Sequence, residues 1–132
     1  MVGFEITNVN PKGRKTGDCA IRALVGTLGI SYEQALDECC YWAKKKYYGI
    51  ADKQTMELVL KDHGYVKMKQ PRKPDRRKYL VMEMDQVCTP KQLEEGVFVT
   101  VANHHTCIKN GCIQDIWNCS TMSVGNYYVK GV

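Results

Sequence analysis

No apolar run in this chain approaches the roughly 20 residues that a membrane span needs, so a transmembrane helix is not expected. A charged stretch followed by an apolar one, the pattern of a secretion signal, is missing at the amino end, and the expected location is the cytoplasm. Internal repeats and low-complexity tracts are also absent. No Cys-x-x-Cys pair occurs, which removes a common spacing of structural zinc ligands.

What is present fits one soluble globular domain spanning 1–132. A chain of 132 residues can bury about two-thirds of its unfolded surface in one core. Its 44% apolar and 25% charged content is ordinary for such a domain. Seven cysteines is a high and odd count. Without a secretion signal, and with Cys39 and Cys40 adjacent, a reduced set is expected rather than disulfides. The net charge of +5 comes largely from Lys44–Lys46 and from Arg72, Lys73, Arg76, Arg77 and Lys78. Such runs are usually solvated, and no helix-turn-helix or aromatic-interleaved pattern is read beside them, so nucleic acid is not the expected partner.

Helices dominate the first half. Asp18–Leu28 is apolar over most of its circumference, with Asp18 as an N-cap and Gly29 as a stop. Ser31–Tyr47 opens on a capping box of Ser31 and Gln34. Asp52–Asp62 is shorter and stops at His63-Gly64, where His63 needs no role beyond its place at a helix end. Phe4–Val9, Tyr65–Lys69, Tyr79–Met84, Val97–Ala102 and Gly125–Lys130 read as strands, and Thr89-Pro90 opens another short helix that Gly96 ends. Helices first and an antiparallel sheet afterwards make an α+β fold.

The stretch from Asn103 to Cys119 organises the rest. Asn110-Gly111 is a favoured two-residue hairpin turn, which pairs Lys109 with Cys112, Ile108 with Ile113, Thr106 with Asp115 and His104 with Trp117. Alternation then puts His104, Thr106, Ile108, Ile113, Asp115 and Trp117 on one face. His104 and Asp115 are diagonal neighbours within side-chain reach. His105 falls on the other face with Cys107, Cys112 and Gln114, and a slip of one residue would make it the base instead.

Cys19 supplies the nucleophile that such a pair lacks. It stands at the first position of its helix, where unpaired N–H groups and the helix dipole favour a thiolate and could receive an oxyanion. Packing is the competing role for this cysteine. A thiol, an imidazole and a carboxylate so placed form the arrangement that cysteine hydrolases use. Arg22 is expected in a structural ion pair with Asp18 or a sheet carboxylate, and Trp117 as a shield over the His-Asp pair. His104, His105, Cys107, Cys112 and Cys119 crowd one hairpin, but Cys107 and Cys112 face away from His104, so no metal and no cofactor is expected.

The segments Thr16-Gly17-Asp18-Cys19-Ala20-Ile21-Arg22-Ala23-Leu24, His104-His105-Thr106-Cys107-Ile108-Lys109-Asn110-Gly111 and Asp115-Ile116-Trp117-Asn118-Cys119-Ser120 carry a resemblance. They resemble small papain-like cysteine peptidase-type proteins of bacteriophages and bacteria, which have a Gly-Asp-Cys-x-x-Arg-Ala segment and a His-x-Thr-Ala-Ile-x-x-Gly hairpin ending in Asp-x-Trp-Asp. The resemblance implies a minimal papain-like fold, a Cys19–His104–Asp115 triad, and a host cytoplasm if the chain is phage-encoded. It also implies an oxyanion donor upstream of the cysteine. The position six residues before Cys19 is Gly13, so Asn10 is the nearest amide, with Thr16 a weaker substitute, to join the Cys19 N–H. The expected activity is cleavage of a peptide, isopeptide or related amide bond in a protein or peptide substrate, with deamidation or acyl transfer open to the same residues. The alternative is a silent papain-fold protein that binds a partner, such as a phage factor occupying a host protein.

Overall fold

Six strands form one mixed sheet in the computed structural model, which describes residues 1–15 and 17–131. In chain order the elements are β1 (Gly3–Ile6), α1 (Cys19–Leu28), α2 (Tyr32–Lys46), α3 (Lys53–Asp62) and β2 (Tyr65–Met68). A 3-10 helix (Val81–Gln86), α4 (Pro90–Glu95), β3 (Val97–Val101), β4 (His104–Lys109), β5 (Cys112–Asp115) and β6 (Tyr127–Lys130) follow. The fold is α+β, and the strands lie in the order β1-β5-β4-β3-β6-β2.

The sheet departs from the expected antiparallel one at a single margin, the β1 edge, while β2 at the other edge is antiparallel. β1 pairs in parallel with β5, and β2, from between the helices, closes the opposite edge against β6. Both additions satisfy backbone groups that an exposed edge would leave unpaired. Only Phe4 of β1 packs against the core, while Ile6 is exposed, which is why alternation there is weak.

Two apolar layers flank the sheet. Phe98 and Tyr128 point toward α1, α2 and α3, where Ile21, Leu24, Ala35, Met56 and Leu60 complete one layer. Val97, Val99, Ile108, Ile113 and Val129 form the other beneath the 3-10 helix and the loop carrying Cys119 and Val124. Gly26 lets α1 lie directly on β4, because a Cβ there would stand 2.3 Å from the Cys107 sulfur. That close approach carries the start of α1 to the start of β4.

The run from Tyr79 to Met84 is not a strand. Leu80 bridges Ser123, and a 3-10 helix follows at Val81. Strand alternation would have put Val81, Glu83 and Asp85 on one face. The 3-10 spacing of three buries Val81 with Met84 instead and frees Glu83 to accept the Leu80 N–H and to pair with Lys73.

Local signals act as expected in several places. Asn110 and Gly111 both have positive φ, 54° and 75°, and Ile108 faces Ile113 as the turn dictates. The Thr89–Gln92 box is complete, with each side chain bonded to the other's backbone N–H. The Ser31 box is only half formed. Ser31 accepts the Gln34 N–H, but the Gln34 amide donates to Glu38. Asp18 occupies the N-cap position of α1 without capping it.

Candidate active site

Cys19 begins α1 and His104 begins β4, so the packing of α1 on β4 places both at the same rim. Asp115 ends β5, the neighbour of β4. The His104 Nε2 and Asp115 Oδ2 are 2.6 Å apart, and the two side chains are only 10% and 4% exposed. Ile116 donates its backbone N–H to Asp115 Oδ1 at 2.7 Å, which fixes the carboxylate plane. With Nε2 engaged, Nδ1 of His104 is the nitrogen left for the thiol. The Trp117 ring lies 5.0 Å from the His104 ring and covers it.

The electrostatics follow from these contacts. A hydrogen bond with His104 holds the Cys19 thiol below its ordinary value against an opposing burial effect, and the backbone amides of His105 and Ala20 assist. Burial drives Cys39 and Cys107 the other way, up to about 12, and Cys88 up to about 11. Burial alone would lower His104. Hydrogen bonds to Asp115, Cys119 and Cys19 outweigh it and raise the ring to about 11. Burial likewise works to raise Asp115, but the bond to His104 and the neighbouring Thr106 keep it below its usual range. The arrangement favours a thiolate beside an imidazolium backed by a carboxylate.

His105 is placed differently. Its ring packs against Phe98 at 5.4 Å, and burial lowers its pKa, so it is neutral at pH 7. It touches the cleft, but Asp115 contacts His104 and not His105.

Asn10 is not brought into the role expected of it. Its side-chain amide donates to Asp18 Oδ2 at 2.7 Å and to the Tyr32 hydroxyl at 3.3 Å, which uses both of its N–H groups. Asp18 is the reason. Its carboxylate, freed from capping, gathers Asn10, Tyr32 and Arg22. The Asp18–Arg22 pair is buried, and Arg22 also lies near enough to Asp115 to feel its charge. Thr16, the other upstream candidate, lies outside the described residues. The first backbone N–H groups of α1 have no acceptor within the helix, since the first turn of a helix offers them none.

Sequence reasoning named Cys119 only among the possible zinc ligands of the hairpin and gave it no place beside Asp115. Its fully buried thiol sits 3.6 Å from Asp115 Oδ2. The loop that carries it has no periodicity to place it. His104, Asp115 and Cys119 hold a nitrogen, an oxygen and a sulfur within 4.8 Å of one another, residue types that zinc accepts. The 2.6 Å between His104 and Asp115 is a hydrogen-bond distance. Two ligands, each about 2.0 Å from a tetrahedral ion, stay about 3.3 Å apart.

Cys19, His104 and His105 line one end of a cleft of about 640 Å³ that runs between α3 and the ends of β2 and β3. Among the described residues no helix is long and apolar enough to cross a membrane. The chain matches no protein-family model, no curated protein and no solved structure.

Proposed function

We propose that this chain is a thiol hydrolase of the papain-like kind that cleaves a peptide, isopeptide or related amide bond. The observation that carries the reading is the meeting of a thiol at a helix start, an imidazole and a buried carboxylate beside an open cleft. In this scheme the Cys19 thiolate attacks the carbonyl carbon, and the oxyanion forms against the N–H groups at the start of α1. His104 gives its Nδ1 proton to the leaving amine, leaving an acyl thioester on Cys19. It then takes a proton from water as the water attacks, and the acid product departs. Asp115 holds the ring and its charge. An amine in place of water would give acyl transfer, and a side-chain amide as substrate would give deamidation.

The test is the pH profile of Cys19 alkylation by iodoacetamide, read by mass spectrometry. Cys19 is expected to react at about pH 6, where an ordinary thiol is almost fully protonated, and His104→Ala to slow it at least about tenfold. Cys19 reacting only in the range of a free thiol, or untouched by loss of His104, would rule the hydrolase out.

One observation favours a second reading, a papain-fold binding protein without turnover. The amide of Asn10 is spent on Asp18 and Tyr32 and supplies no side-chain donor to an oxyanion. Under that reading a partner complex forms equally well with Cys19→Ala.

A further inference from the structure

The cleft beside Cys19 is bordered by more lysines than carboxylates. α3 carries Lys53, Glu57 and Lys61 at intervals of four residues, which places them in one row along the helix. Lys53 and Glu57 line the cleft itself. A neighbouring hollow of about 290 Å³ shares Gln54 and Glu57 with the cleft and adds Lys46, Tyr48 and Lys61. Lys67 on β2 completes the rim. It pairs with Glu57 at 3.6 Å, so the one carboxylate of the row is already matched. Lys46, Lys53 and Lys61 form no ion pair among the described residues and are exposed.

Helix energetics do not explain the whole set. Lys46 and Lys61 stand in the last turns of α2 and α3, where a cation complements the helix dipole. Lys53 is at the first position of α3, where the dipole opposes it, and Asp52 beside it at the N-cap position accepts the Gly49 N–H. The other basic run is differently disposed. Lys73 is tied to Glu83 and Arg77 to Asp75, away from the cleft.

We propose that the cleft receives an acidic polypeptide segment, whose carboxylates meet Lys46, Lys53 and Lys61 while its backbone is presented to Cys19. The assignment rests on the hydrolase reading, because thiol chemistry at one end of the cleft calls for an occupant with an acyl carbon. A polypeptide offers one at every residue, whereas a nucleic acid backbone offers none. Single-stranded nucleic acid is the competitor. Aromatic residues flank the Lys44–Lys46 run without interleaving it, and Tyr47 is 94% exposed. Two other aromatics there are otherwise engaged. Lys45 lies over the rings of Tyr41 and Trp42, and the Trp42 indole donates to Asp62.

The experiment uses the full chain carrying Cys19→Ala and four fluorescent probes: a short Glu/Ser peptide, a Ser/Gly peptide, a Lys/Ser peptide and oligodeoxythymidylate. At low salt the Glu/Ser peptide is expected to bind about tenfold more tightly than the Ser/Gly peptide, with the preference fading as salt rises. The combined variant K46Q/K53Q/K61Q should erase the preference. K12Q/K15Q/K130Q, which removes the same net charge elsewhere, should retain it. No acidic preference, equal loss in both variants, or tighter binding of the oligonucleotide overturns the proposal. Iodoacetamide labelling of the Cys19 chain separates the two readings. A reactive Cys19 without acidic preference removes only the substrate class. An inert Cys19 with the preference intact removes the hydrolase and leaves a cleft that binds acidic chains.

Discussion

Asp18 stands next to the candidate nucleophile yet works for the framework. One carboxylate oxygen receives Asn10 and Tyr32, and the other faces Arg22. Removing it leaves a guanidinium that is 8% exposed without its partner. Asp18→Ala is therefore expected to lower stability by about 3–5 kcal/mol in chemical denaturation, as for other buried charges deprived of their counterion. The sequence position of Asp18 permits the role of a cap. The residue that redirects it, Tyr32, belongs to another helix, and no local pattern announces a contact between them. His104 is easier to single out, since turn type and alternation set its register with Asp115 from the six residues before and the four after Asn110-Gly111.

Among the elements, α1 is the one whose placement decides the site. Glycine permits its approach on both sides. Gly26 faces Cys107, and Gly96, at φ 124°, lies where an added Cβ would come within 2.3 Å of the Thr27 carbonyl oxygen. Gly96→Ala would meet a backbone atom in a conformation that side chains avoid, so it is expected to cost about 2–4 kcal/mol by thermal or denaturant unfolding. Helix boundaries were legible from caps and stops, and each helix was found within a residue or two of its reading. The 3-10 helix was not, because a short apolar run with alternating charges fits two periods equally well until its burial partners are known. The mixed character of the sheet was hidden for a related reason. β1 joins β5, more than a hundred residues later, and four residues with a single half-buried side chain carry no record of that pairing.

Across the whole molecule, charge ties stability to pH. His104 is raised above its ordinary 6.5, so its contribution to stability is complete below that value and is lost as pH climbs through about 11. Asp115 is lowered from its ordinary 3.8, so its contribution is present above that value and is lost as pH falls through the depressed one. The stability difference between the wild type and His104→Gln is expected to shrink steadily from about pH 7 to about pH 11. Parallel melting curves that keep a constant separation over that range would show that the ring is not protonated in the folded chain. The excess of basic residues was legible as a number but not as a place. Only the fold shows that Lys73 is paired with Glu83 of the 3-10 helix and Arg77 with Asp75, while Lys53 lines the cleft and Lys46 and Lys61 line the hollow beside it.

The parallel strand at the sheet's margin has one more consequence. Ile6 lies opposite Asp115, and the Thr7 amide donates to the Asp115 carbonyl at 2.8 Å, so the leading residues splint the rung that bears the acid. A purification handle grafted onto that end tugs, through the Thr7–Asp115 backbone bond, on the group that steers the imidazole. Preparations tagged at the front and at the back can therefore differ in thiol behaviour while melting alike.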